Sequence, residues 1–250
     1  MMNDILDLHT HTIVSGHAYN TLYEMIHAAQ AKGVRLLGVT EHSPGIPGAC
    51  HPFYFLNFKV VPRQIGGVRL LLGCELNIIG YDGSLDLEPR YQRGLDLGIA
   101  SIHEPCYTSG TVSQNTAAYL GAMKNPIVQI IGHPDDGRFP VDYETLVCAA
   151  KENHVLLELN NSSLSPGCHR KDSRKNMVTM LEYCRKYQVP VILDSDAHCE
   201  ADVGNHGCLH QLLDEIAFPK ELAVNDSLEK AAAFLPSLQR YLALGGSCDD

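Results

Sequence analysis

Residues 5–11 read Ile-Leu-Asp-Leu-His-Thr-His, a short apolar run that ends in two histidines two positions apart. On an extended chain, residues two apart point to the same side, so both imidazoles of this His-x-His pair can reach one ion. The pattern then repeats. Leu36-Leu37-Gly38-Val39-Thr40 runs into His42, Val68 to Leu72 into Glu75, Gly98 to Ile102 into His103, and Ile127 to Ile131 into His133. Val155 to Leu159 runs into Asn160 to Ser163, and Val191-Ile192-Leu193 into Asp196 and His198. From His11 the steps between endings are 31, 33, 28 and 30 residues, then 63 to Asp196, which spans two units. About thirty residues is the length of one βα unit. Seven strands are thus marked, each followed by a polar ending. Closed into a parallel barrel, all seven would turn their C-terminal ends to one mouth and bring the endings together. Histidines scattered by chance would show no such preference for strand ends.

At 250 residues the chain matches one barrel, and no Pro- or Ser-rich linker divides it, so a single domain over 1–250 is expected. Thr21-Leu-Tyr-Glu24 is a capping box ahead of a helix whose Leu22, Met25, Ile26 and Ala29 share one face, and Gly33 ends it. Comparable signals predict helices near Ser113 to Met123, Asp142 to Asn153, Asp172 to Tyr187 and Cys208 to Ile216, and a last one from the Asp226-Ser227 cap. Alternation of this kind implies a parallel sheet in an α/β fold. Leu222-Ala223-Val224 is too weak an apolar piece for an eighth strand. Ser43 to Gly67 holds four prolines, four glycines and Phe53, Tyr54, Phe55 and Phe58 without a helical period. It reads as a long loop at the mouth, either a lid or a rim into which the aromatics pack.

A formal charge of −10 argues against a general nucleic-acid surface, whose affinity comes from neutralising phosphates. Nine cysteines, an odd number without Cys-x-x-Cys, fit reduced thiols in the cytoplasm better than disulfides. Met1-Met2-Asn3-Asp4 runs into the first strand with no leader pattern, and no apolar stretch reaches the roughly 18 residues of a membrane span. A soluble cytoplasmic protein with no membrane partner is expected.

His9, His11, His17, His42, His103, His133 and His198, with Glu75 and Asp196, make nine potential ligands. One four- to six-coordinate ion cannot use them all, so a multinuclear centre is expected. Carboxylates can bridge two ions and imidazoles cannot, which makes Glu75 the expected bridge. His51 and His169 lie in mouth loops, where a general acid for a leaving group would sit. His27, His154, His206 and His210 have no strand-end placement and are expected at the surface. Cys168 and Arg174 have the Cys-x5-Arg spacing of cysteine-based phosphatases, but the segment between lacks phosphate-cradling glycines and holds Asp172. That match is set aside, and Cys106 and Cys199 are read as packing residues.

Asp7-Leu-His9-Thr-His11, Thr40-Glu41-His42, Gly73-Cys-Glu75, His103-Glu-Pro105, Gly132-His133-Pro134 and Asp194-Ser-Asp196-Ala-His198 resemble, nearly from end to end, the PHP (polymerase and histidinol phosphatase) domain family. His17-Ala-Tyr19, His103-Glu104-Pro105 and Leu159 to Ser163 are similar to its YcdX-like phosphatase branch. The resemblance implies a distorted seven-stranded parallel (β/α)7 barrel with the metal site at the C-terminal ends of the strands. It implies three divalent metal ions, most simply zinc, with manganese or iron also used in the family. One ion would be held by His9, His11, Glu75 and Asp196, a second by Glu75, His103 and His133, and a third by His17, His42 and His198. Close relatives also imply a homo-oligomer.

Three dications against two carboxylates leave about +4 in the site, a fit for a small phosphorylated substrate. Metals lower the pKa of bound water, so the expected reaction is phosphomonoester hydrolysis by a hydroxide bridging two ions. Glu75 and Asp196 are the catalytic candidates, with Asp196 also orienting the nucleophile. Arg170 and Lys171 lie just before a helix start, where cations oppose the macrodipole, and with Arg63 they are the candidates for binding substrate phosphate. Neutralising Arg170 and Lys171 is expected to raise KM more than it lowers kcat. The alternative within the same family is a 3′–5′ exonuclease or phosphodiesterase acting on nucleic acid ends, which the acidic charge and the lack of a polymerase domain disfavour. A non-enzymatic metal-binding scaffold would be expected had ligands been lost, and none has been. Amidohydrolase-type barrels also open with His-x-His but carry a bridging lysine on the fourth strand, where this chain has His103.

Overall fold

The computed structural model of the protein describes residues 4–245. Met1 to Asn3, read above for a leader pattern, lie outside the described residues, as does Cys248. The strands are β1 (Leu6–Asp7), β2 (Leu36–His42), β3 (Gln64–Ile65), β4 (Val68–Asn77), β5 (Leu97–Ser101), β6 (Val128–Ile131), β7 (Leu156–Asn160) and β8 (Val191–Asp194). Seven of them pair in parallel in the order β1-β2-β4-β5-β6-β7-β8, and β3 folds back antiparallel onto β4. The expected distorted (β/α)7 barrel is therefore observed, with one small hairpin strand added.

Between the strands lie α1 (Leu22–Ala31), α2 (Phe53–Leu56), α3 (Pro89–Gln92), α4 (Val112–Ala122), α5 (Tyr143–Asn153) and α6 (Ser173–Tyr187). Three more helices, α7 (Gly207–Glu215), α8 (Leu228–Ala232) and α9 (Pro236–Ala243), follow the last strand. The capping box predicted at Thr21 and Glu24 is formed, with Glu24 N donating to Thr21 Oγ1 and Thr21 N to Glu24 Oε2. Ser227 caps α8.

Every residue of β2, β5, β6, β7 and β8 is buried, because helices cover the outer face of the wall and side chains fill its inside. The inner core joins Leu36, Leu71, Ile99, Ile130, Leu156 and Ile192, one residue from each of six strands, with Leu235 and Leu238 of the C-terminal helical segment. The alternation that turns Leu36, Leu71 and Leu156 inward continues up the same strands to His42, Glu75 and Glu158, and Asp196 follows just past the end of β8. The inside of the barrel is thus apolar at the base and polar at the mouth.

Closure between β1 and β8 is irregular. Leu8 N donates to Asp194 Oδ1 (2.6 Å), and Thr10 bridges Ala197. Lower down, the weak apolar piece Leu222-Ala223-Val224 and the Asn225 that follows it enter the gap: Ala223 forms one parallel bridge with Val191, and Ile5 N donates to Asn225 O (2.9 Å). The Asn225 side chain accepts from Leu193 N (2.9 Å) and donates to Leu193 O (2.7 Å) and Leu6 O (3.3 Å). It substitutes for the ladder bonds that β1 and β8 do not make with each other.

The 43–67 segment leaves the mouth and descends to the β3–β4 hairpin. Phe55 and Phe58 are buried and stack edge to face on each other and on Tyr54, so these aromatics pack into the core. All eight cysteines among the described residues are free. No helix among the described residues is long and apolar enough to cross a membrane.

Candidate metal centre

The structure brings all nine strand-end candidates to the mouth, around Glu75 at the end of β4. Glu75 Oε1 lies 3.2 Å from His103 Nε2 and 3.0 Å from His133 Nε2. Its Oε2 lies 2.7 Å from His42 Nδ1, 3.3 Å from His9 Nε2 and 3.6 Å from His11 Nε2. Asp196 Oδ1 faces His11 Nε2 at 3.4 Å, His9 Nε2 at 3.7 Å and His198 Nδ1 at 3.6 Å. His17 and His198 meet at 3.1 Å between their Nε2 atoms, and His17 stacks on His42 with ring centroids 4.8 Å apart. His133 (φ 28°) and Asp196 (φ 56°) both sit in the left-handed region, a local strain that aims their side chains inward.

These residues fit metal ions. Among the described residues, His9 Nε2, His11 Nε2, His42 Nδ1 and Glu75 Oε2 are buried without a hydrogen-bond partner of good geometry, and all four border the same space. Orphaned buried polar atoms are rare, and a group of them around one point needs a ligand to satisfy it. The donor atoms of His9, His11 and Asp196, of His42, Glu75 and His103, and of His11, His42 and His198 each lie within 4.8 Å of one another, close enough to share an ion.

Electrostatics agree. Burial pushes the His9 pKa down, yet Glu158, Glu75 and Asp196 lift it well above the usual histidine value. Burial alone would raise the Glu75 carboxyl, but His103, His9 and His42 hold it well below the usual range. Asp196 is likewise held low against its burial by His9, His11 and Arg170. His11 is pushed well below its ordinary value by burial and by neighbouring His42 and His198. Ionised Glu75 and Asp196 thus face imidazoles of opposite bias, His11 resisting protonation and His9 favouring it, and a cation between them would take the place of the positive charge that a proton on His9 supplies.

Several supporting residues lay outside the sequence reading. Glu158 Oε1 is 2.5 Å from His9 Nδ1, and its Oε2 accepts from His133 N (2.6 Å) and Asn160 Nδ2 (3.2 Å). Asn77 Oδ1 is 2.7 Å from His103 Nδ1. Glu41 accepts from Ser15 Oγ (2.6 Å) and Thr12 Oγ1 (2.5 Å), and Ser15 Oγ lies 3.1 Å from His11 Nδ1. A charged or amide side chain inside an otherwise apolar strand, as in Leu156-Leu-Glu158-Leu, was the available signal.

Arg170 reaches the centre: Nη2 pairs with Asp196 Oδ2 at 3.0 Å, and Nη1 donates to Asn160 Oδ1 and Ser163 Oγ, each at 3.0 Å. It borders a pocket of about 370 Å³ together with Asp196, His198, His169 and Arg138. Arg138, also missed by the sequence reading, is clamped by Asp136 (2.7 Å) and Glu104 (2.9 Å). A second hollow of about 400 Å³ beyond His103 is walled by Tyr81, Glu104, Cys106 and Tyr107. A larger cleft of about 650 Å³ lies between α6 and α7 and touches none of the nine candidates.

The other candidates differ. Lys171 is exposed, and its backbone N donates to Asp136 Oδ1 (3.3 Å). Arg63 is not at the mouth. Its guanidinium is tied to Asp96 (2.5 Å) and to the carbonyls of Phe58 and Val61, beside the beginnings of β4 and β5. His51 is spent on Phe53 N at the start of α2. His206 is buried and His210 half-buried, against the expected surface placement, because Asp4 draws both rings inward. His27 and His154 are exposed as expected.

Fold and mouth together define a barrel protein with a metal-capable centre. A model of the PHP domain matches residues 7–162, and the chain belongs to that family. It is 46% identical over 236 residues to a probable phosphatase of Clostridium novyi (strain NT), covering 94% of this chain and 96% of that one. It is 45% identical over 230 residues to a probable phosphatase of Caldicellulosiruptor bescii, covering 92% and 95%. Among solved structures it is similar to the histidinol phosphate phosphatase of Lactococcus lactis, determined with zinc, L-histidinol and phosphate, at a TM-score of 0.58, 16% identity and coverage of 88% and 95%. It is also similar to a chain of archaeal ribonuclease P with mature tRNA, at a TM-score of 0.61, 15% identity and coverage of 95% and 93%. At these identities the two structures speak for the fold alone.

Proposed function

We propose that this metal-dependent phosphatase hydrolyses small phosphomonoesters at a centre of three divalent ions, with zinc the expected metal. The observation that carries the reading is the group of buried, unpartnered donor atoms of His9, His11, His42 and Glu75 at the mouth. In this reading His9, His11, Glu75 and Asp196 would hold one ion, Glu75, His103 and His133 a second, and His17, His42 and His198 a third. Bound there, the ions would supply a low-pKa water as nucleophile and charge to offset the phosphoryl group. Relatives named probable phosphatases across more than nine-tenths of the chain support the same chemistry.

The chain's own residues hold that arrangement in place. Glu158 keeps the His9 proton on Nδ1 and Asn77 keeps the His103 proton on Nδ1, so each ring turns its Nε2 lone pair to the centre. Arg170 fixes Asp196 through Oδ2, leaving Oδ1 toward His9 and His11, and borders the pocket where a substrate oxygen would sit. Arg138 lines the same pocket, while the tyrosines beyond His103 offer a wall for the alcohol part.

The test is phosphate release from a panel of phosphomonoesters and nucleotide release from a single-stranded oligonucleotide, with zinc- and manganese-loaded protein. Monoester turnover is expected, and Glu75→Gln should lose metal and activity together. Turnover retained in that variant would overturn the site, and nucleotide release with little monoester activity would make the protein a nuclease.

A further inference from the structure

Away from the mouth, a second set of metal-capable side chains meets where the start of β1 approaches the first turn of α7. His206 and His210 are four apart, a spacing that puts both on one side of a helix. Asp4 Oδ2 lies 2.8 Å from His206 Nδ1 and 2.6 Å from His210 Nε2. We propose that Asp4, His206 and His210 form a separate site for one divalent transition-metal ion of the zinc type.

Three features favour coordination over a hydrogen-bonded cluster. Both imidazoles converge on one oxygen of Asp4, while Oδ1 is buried with no hydrogen-bond partner among the described residues. Both rings stand at hydrogen-bond distance from that one oxygen, and the three ligand atoms lie within 4.8 Å of one another, close enough to share one ion. His206 is almost wholly buried, and its Nε2, also without a hydrogen-bond partner, faces Asp7 Oδ1 at 3.9 Å. At that distance Asp7 makes no hydrogen bond to the ring, but its charge lies on the far side of His206 from Asp4. Asp7 is itself fixed by Ser195 N (3.0 Å), Ser195 Oγ (2.5 Å) and Gly204 N (2.7 Å).

Two carboxylates, Asp4 and Asp7, face His206, and a dication at this point would offset both. His210, with 27% of its side chain exposed, leaves a way in from solvent. An N₂O donor set completed by water suits zinc or cobalt(II).

The experiment measures metal content, so its outcome does not depend on the phosphatase reading. Metal-saturated full-length protein is passed through a desalting column, zinc or cobalt(II) is counted by mass spectrometry, and the cobalt spectrum is recorded. Wild type is expected to hold one equivalent more than His210→Ala and than Asp4→Asn, and added zinc to raise its Tm by several degrees more than theirs. His210→Gln, which keeps a hydrogen-bonding group near Asp4, guards against a folding defect and is expected to lose the same equivalent. Equal metal content in wild type and the folded variants would overturn the proposal and make the cluster a proton-held clasp.

Discussion

Glu158 sets what His9 can do. With its carboxylate on His9 Nδ1 and on His133 N, it fixes two of the proposed ligands at once, although it lies in an apolar strand and touches no proposed metal position. Glu158→Gln should weaken metal affinity by about 10- to 100-fold, the usual effect of losing a partner that orients a ligating histidine. A metal titration followed by activity would show this as a shifted midpoint with turnover recovered at high metal. Arg170 and Lys171, adjacent in sequence and alike in the sequence reading, should separate. Arg170→Ala leaves Asp196 Oδ2 with Asn160 Nδ2 (3.1 Å) alone and removes its charged partner, so it should lower kcat as well as raise KM, whereas Lys171→Ala, at an exposed position, should change either by less than about twofold. Steady-state kinetics of the two variants decides. The nine mouth residues were legible because few residue types can serve such a centre and strand ends are marked by apolar runs. Glu158, Asn77 and Arg138 were not, since their roles depend on which strand or loop lies alongside, and no local pattern records that.

At the scale of elements, the strand count was legible and the closure was not. An apolar run announces a strand, but whether β1 and β8 zip together depends on barrel shear, and here they splay enough for Asn225 to enter. Residues 222–225 have the composition of a marginal strand because they make only part of a strand's bonds. Asn225→Ala should destabilise the protein by roughly 3 kcal/mol, since each buried backbone group left unpaired costs about 1–3 kcal/mol. Urea or guanidinium unfolding gives the value, and a loss below about 0.5 kcal/mol would mean that water takes over these bonds. The 43–67 segment illustrates the opposite limit. Its prolines and glycines hid a short helix and a hairpin, and only packing shows Phe55 and Phe58 turned into the core and away from the mouth.

For the whole molecule, the His206 cluster ties stability to pH. Its folded pKa of about 10 lies above the unfolded value near 6.5. The stabilisation it contributes is therefore complete below about pH 6.5 and is lost as pH rises through about 10. In chelated protein the urea midpoint should fall across that window, and His206→Asn should flatten the profile; parallel profiles would remove His206 as the cause. The seam between β1 and β8 has a consequence for synthesis. Leu8 waits for Asp194, 186 residues later, and Ile5 waits for Asn225. At about 5–20 residues per second the first strand spends roughly 10 to 40 s on the ribosome with one edge bare. Through that interval the nascent chain carries His9 and His11 without Asp196 or His198, so the proposed ligand set stays incomplete until most of the barrel wall has emerged.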